Sequence, residues 1–137
     1  MRLFLDSSVI LSASGSSTGA SRYIFDHAAS WGWQLYSAEY CREETSRNAP
    51  KFGGEAARYF QEVLKGKVEW CADTLSAKEV VVFPKAKDKP VLLGALALKP
   101  DFLLTLDRED FHGKLGSQFY GIQIRTPAEF LHDLRRA

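Results

Sequence analysis

Cysteine is scarce in this chain: among 137 residues only Cys41 and Cys71 occur. Two are too few for a disulfide framework, and their separation fits neither a metal knuckle nor a redox pair. Both are expected to be buried thiols. The three histidines, His27, His112 and His132, also lack metal-ligand spacing. Long apolar runs are missing, and no segment approaches the roughly 20 residues that span a bilayer. The first apolar run is cut by Asp6, which argues against a signal peptide. No membrane association and a cytoplasmic location are the resulting expectations. A surplus of either charge is absent as well, since 18 Lys and Arg face 17 Asp and Glu for a net +1. Any contact with nucleic acid must therefore come from local charge placement, not from a global basic field. Repeats and low-complexity segments are absent too.

What remains is the composition of an ordinary globular protein, 45% hydrophobic and 26% charged. The length suits one domain, residues 1–137, with a core that needs no staples. Phe4 and Leu5 lie in a short apolar run typical of a strand buried on both faces, and Val9, Ile10 and Leu11 reopen the pattern after a polar break. A short helix to about Ala13 follows, then a polar loop from Ser14 to Gly19. Tyr23, Ile24, His27 and Ala28 recur at helical spacing, and Gly32 closes that run. Trp33 to Tyr36 reads as a second strand, followed by a helix that Pro50 stops and another from Glu55 to Lys65. Val68–Cys71 and Glu79–Phe83 are both β-like; Val80–Phe83, four consecutive β-formers, is the favoured third sheet strand. Pro90 opens a helix over Val91–Leu98, Phe102–Leu106 is a further buried strand, and Ile122–Ile124 a last one. Thr126-Pro127-Ala128-Glu129 is a capping-box start for a closing helix that runs to Arg136. Strands alternating with helices imply a three-layer α/β/α fold around a mostly parallel sheet.

In such a sheet the carboxyl ends of the strands form one edge, where open α/β folds build their sites. Asp6 follows the first strand, Asp107 follows Leu103-Leu104-Thr105-Leu106, and Asp88 precedes the helix at Pro90. On the helix after strand two, Tyr40, Cys41, Glu44, Thr45, Asn48 and Ala49 share a face, so Glu44 falls among inward residues. Two unit charges about 4 Å apart repel by about 4 kcal/mol at an effective dielectric of about 20. Converging carboxylates therefore need a counter-charge, and all-oxygen ligation suits Mg²⁺ or Mn²⁺ and phosphoryl-group chemistry.

These segments resemble the PIN-domain nucleases, which include VapC-type toxins of toxin–antitoxin pairs. The likeness runs through Leu5-Asp6-Ser7-Ser8-Val9-Ile10, Glu39-Tyr40-Cys41-Arg42-Glu43-Glu44-Thr45, Asp88-Lys-Pro-Val-Leu-Leu-Gly-Ala95 and Asp101-Phe-Leu-Leu-Thr-Leu-Asp107-Arg-Glu-Asp110-Phe111. The tail from Ile124 to Leu131 is similar to family endings as well. The resemblance implies Asp6, Glu44, Asp88 and Asp107 as catalytic, metal-binding acids, with Ser8, Thr105 and Asp110 in support. It further implies a Mg²⁺- or Mn²⁺-dependent endoribonuclease, an RNA substrate, a small antitoxin as partner and a homodimer. Glu43 beside Glu44 leaves the second ligand open by one position. Where family members carry more acidic character upstream of the third Asp, this chain has Pro84-Lys85-Ala86-Lys87.

Each acid also has a plainer role. Asp6 and Asp88 stand at expected helix starts, where Asp commonly caps backbone N–H groups, and Asp107 and Asp110 are common turn residues. Four acids reaching one edge from four segments exceed what independent caps and turns produce. Lys85, Lys87, Lys89 and Arg108 would guide an RNA backbone toward that edge, or form a solvated charged loop. Trp31, Trp33 and Trp70 are expected in the core, not as base-stacking platforms. The rival reading is a PIN-like module that binds RNA or protein without cutting, in which the lysine loop outweighs the acids. A haloacid-dehalogenase-type phosphatase is disfavoured, because Ser8 stands where its second Asp would be.

Overall fold

Leu3, Phe4 and Leu5 are all fully buried, yet they serve different layers. Leu3 and Leu5 join a core with Val9, Ile10, Ile24, Phe25, Phe60, Leu64 and Phe130, whereas Phe4 joins Ala38, Cys41, Val91, Ala95, Leu103, Ile122 and Ile124. Side chains alternate across a strand, so a strand apolar at consecutive positions is covered by helices on both faces. The same division separates Leu103 from Leu104. The fold is thus the three-layer α/β/α arrangement expected.

The computed structural model describes residues 1–72, 91, 95, 98–107, 118, 119 and 121–136. The expected strand at 80–83 and Lys85, Lys87, Asp88, Lys89, Arg108, Asp110 and His112 lie outside the described residues. The elements are β1 (Arg2–Leu5), α1 (Ser7–Gly15), α2 (Ala20–Trp31), β2 (Gln34–Ala38), α3 (Glu39–Asn48), α4 (Gly54–Tyr59), β3 (Glu69–Cys71), β4 (Phe102–Leu104), β5 (Gln118–Phe119), β6 (Ile122–Arg125) and α5 (Pro127–Arg136). Val91, Ala95 and Leu98 are helical as well, and their spacing puts them on one side of a helix, facing the second core.

The sheet order is β3-β2-β1-β4-β6-β5. The first five strands in that order are parallel, and β5 closes the edge antiparallel to β6. Of the two β-like candidates for the third strand, the one ending at Cys71 pairs with β2 as Glu69–Cys71, and the favoured Val80–Phe83 lies outside the described residues. The two-residue β5 had no signal at all.

Local details follow the chain's punctuation. Gly32 takes the left-handed conformation at the end of α2, with φ of 74°. Pro50 ends α3 and opens a 3-10 turn over Ala49–Phe52. The expected helix to Lys65 is regular only to Tyr59 and continues through a π turn, Phe60–Leu64, that keeps Phe60 and Leu64 buried. Ser14 and Gly15 belong to α1, not to the loop, and the Ser14 hydroxyl donates to the Ile10 carbonyl at 2.8 Å. The capping box at α5 forms reciprocally: Thr126 N donates to Glu129 Oε1 at 2.9 Å and Glu129 N to Thr126 Oγ1 at 3.1 Å. Cys41 is buried, but Cys71 is only half-buried. Trp33 is core, Trp70 is half-buried with its indole N–H on the Lys65 carbonyl, and Trp31 is 50% exposed, contrary to the core expectation. Among the described residues no helix is long and apolar enough to cross a membrane.

Candidate functional site

β1 runs parallel to both β2 and β4, so the residues just after these strands reach the same edge. Asp6 leaves β1 with its N–H on the Leu104 carbonyl at 3.0 Å, an extension of the β1–β4 pairing. It then caps α1, Ser7 N donating to Asp6 Oδ1 at 2.8 Å. The other carboxylate oxygen accepts from Ser8 Oγ at 2.9 Å and from Thr105 Oγ1 at 2.8 Å. Both hydroxyls are fixed in turn, Ser8 Oγ accepting from Leu106 N and Thr105 Oγ1 from Asp107 N, each at 3.0 Å. Two segments 99 residues apart are thereby laced through one carboxylate. Ser8 and Thr105, singled out in the sequence as supporting groups, both contact Asp6.

Glu44 arrives from α3. The helical phase that chose it over Glu43 matches the burial pattern: Cys41 and Thr45 are buried, Glu44 is half-buried and Glu43 is exposed. Its Oε1 accepts from the Ser7 hydroxyl and its Oε2 from the Tyr40 hydroxyl at 3.4 Å. Asn48, one turn on, donates to the Glu44 backbone carbonyl at 2.8 Å. Ser7 was not singled out in the sequence. Its signal was a hydroxyl in the first helical turn directly after Asp6, but a partner 37 residues away is not visible from spacing.

Asp6, Ser7, Ser8, Leu11, Glu44, Asn48 and Asp107 line a single cleft of about 330 Å³. Three of the four acids picked from the sequence therefore share it. The fourth, Asp88, and the supporting Asp110 lie outside the described residues. No Lys, Arg or His is among the described residues that line the cleft.

The electrostatics follow from this placement. Burial raises the Asp6 carboxyl above the usual range, and the nearby Glu44 charge adds to it, while the hydrogen bonds from Thr105, Ser8 and Ser7 pull the other way. Tyr40 is raised by burial and by Glu44. The Cys41 thiol, beneath the same edge, is pushed up to about 12 by burial and the Asp6 charge. An environment of this kind makes a thiol inert as a nucleophile. A divalent cation fits the cleft's donor set, which is dominated by carboxylate and hydroxyl oxygens. Among the described residues, however, no group of three or more His, Cys, Asp or Glu stands close enough to hold a metal ion.

No family model matches the sequence, and no curated protein sequence does. By structure the chain is similar to one in the crystal structure of VapBC2 from Rickettsia felis bound to a DNA fragment from their promoter. The TM-score is 0.64, the identity 11%, and the match covers 92% of this chain and 98% of the other. A likeness at that identity establishes the fold, a PIN-like α/β sheet flanked by helices, over nearly the whole length of both chains.

Proposed function

We propose that this protein is a Mg²⁺- or Mn²⁺-dependent endoribonuclease that hydrolyses RNA phosphodiester bonds, with Asp6, Glu44, Asp88 and Asp107 as its acidic set. One observation carries the reading: Asp6 and Glu44, from elements far apart in sequence, are joined through Ser7 in a cleft that Asp107 also lines. These acids would hold a divalent ion, which when bound would supply water activation at neutral pH and charge neutralisation at the leaving oxygen. The chain's part is to orient Asp6 through three hydrogen bonds, which partly offset the burial that disfavours its charged form, and to bring Glu44 to the same opening. Lys85, Lys87, Lys89 and Arg108 are proposed to guide the RNA backbone, and Asp110 to support Asp107.

The similarity to a chain of the VapBC2 complex supports a small antitoxin as partner, and a homodimer is the assembly proposed. The test is RNA cleavage by protein purified free of contaminating nucleases, with and without Mg²⁺ or Mn²⁺. Asp6→Asn should lower metal-dependent cleavage at least about 100-fold, equivalent to about 2.7 kcal/mol of barrier. Equal cleavage by the variant overturns the assignment.

A second reading, a PIN-like module that binds RNA or protein without cutting, is favoured by the lack of a three-ligand group among the described residues. Calorimetric titration with Mn²⁺ separates the two. Binding lost in Asp6→Asn supports the nuclease, and RNA binding without metal uptake supports the module.

A further inference from the structure

Glu44 is held by two hydroxyls that belong to no acidic pair. Ser7 Oγ donates to Oε1 and Tyr40 OH to Oε2, so each carboxylate oxygen already has one donor. Ser7 is 5% exposed and makes a second contact to the site, its backbone N–H donating to Asp6 Oδ1 at 2.8 Å. A single residue thus ties both carboxylates, through its main chain to one and its side chain to the other.

We infer that Ser7 and Tyr40 are positioning residues that aim the Glu44 carboxylate at a divalent cation shared with Asp6, an inference that rests on the metal-dependent reading above. The chemistry follows from the donors. A glutamate has three rotatable bonds, and freezing them costs free energy whenever a cation is bound. Two fixed hydroxyls incur that cost during folding and leave each oxygen lone-pair capacity for a metal. Partners of this kind behind a metal ligand typically change affinity about 10- to 100-fold when removed. The Ser7 hydroxyl is well placed for the larger share, because the residue is buried and anchored at the start of α1. The Tyr40 contact, at 3.4 Å on a half-buried ring, carries the smaller share.

The test is Mn²⁺ affinity of the metal-free protein, read by calorimetry or by the electron paramagnetic resonance of free Mn²⁺. Ser7→Ala keeps the N–H bond to Asp6 and loses only the hydroxyl, and its affinity should fall about 10- to 100-fold. Tyr40→Phe should weaken Mn²⁺ in the same direction by less. Ser14→Ala, on the same helix, removes an equally buried hydroxyl that bonds only the Ile10 carbonyl, and its affinity should match wild type. A merely structural role for Ser7 predicts that Ser7→Ala and Ser14→Ala behave alike, which overturns the inference. Equal affinity in wild type and Ser7→Ala does so too. Should Ser7→Ala fail to fold, unchanged affinity in Tyr40→Phe is the overturning result. Absence of Mn²⁺ binding by wild type overturns the metal-dependent reading and this inference together, so the two failures are distinguishable.

Discussion

The two ends of the sheet differ in everything but their backbone. At the carboxyl ends of β1 and β4 a cleft collects Asp6, Glu44, Asp107 and the hydroxyls that hold them. At the opposite ends, aromatic rings meet edge to face: Trp33 lies 4.9 Å from Trp31 and 5.2 Å from Phe130, and Phe130 lies 5.0 Å from Phe102. Parallel strands make this segregation possible, since each contributes its first residues to one edge and its last to the other. The aromatic end contributes packing, worth about 0.5–1.5 kcal/mol per aromatic pair beyond burial. The acidic end works against stability, holding a buried carboxyl whose charged form is disfavoured. Ring packing and the acidic cleft thus occupy opposite ends of the sheet.

The largest expected effect that tests this separation is at the aromatic end. Phe130 is fully buried, and Phe130→Ala should cost about 3–5 kcal/mol in urea unfolding. Mn²⁺ affinity of the folded fraction should stay within about twofold of wild type, since additivity holds for distant sites. A parallel loss of metal binding breaks the comparison.

The converse change is Asp6→Asn, which keeps the helix cap and removes the buried charge. It should stabilise the metal-free protein at neutral pH by about 1–2 kcal/mol, the common scale of such relief, while abolishing cleavage. The sign follows from linkage. With the folded pKa of Asp6 above the ordinary aspartate value, the folded chain binds a proton that the unfolded chain has released between those two pKa values. The Asp6 contribution therefore falls as pH rises through that window and recovers as pH drops back through it. Unfolding measured across the acidic range should show this component in wild type and lose it in Asp6→Asn. No difference in pH slope contradicts a buried, proton-holding Asp6.

The smallest effect sharpens the comparison from outside either end. Thr126→Ala breaks the reciprocal cap of α5 and should cost about 1 kcal/mol of stability. Cleavage and Mn²⁺ affinity should not change.

How much of this was legible in the sequence follows the same division. The acidic edge was readable because it depends on local order: an apolar run ending on Asp6, a helical phase that brings Glu44 inward, and Thr105 two residues before Asp107. The capping box at Thr126 was readable for the same reason. What was missed depends on tertiary context. Glu69–Cys71, the less β-prone of the two candidates, pairs with β2, since β-propensity measures fit to a half-buried surface more than backbone preference; Val80–Phe83 lies outside the described residues. Trp31 looked like core by residue type, but it sits at the end of α2 and is half exposed against Trp33. Ser7 was passed over for Ser8, because its partner, Glu44, comes from a different helix.

The most direct test of a divalent-cation centre at the acidic edge is anomalous diffraction from a crystal soaked in Mn²⁺. The account predicts a Mn²⁺ peak in the cleft within coordination distance, about 2.0–2.6 Å, of carboxylate oxygens from both Asp6 and Glu44. A well-ordered cleft without Mn²⁺ at saturating concentration, or one in which Asp6 and Glu44 point away from each other, would contradict it.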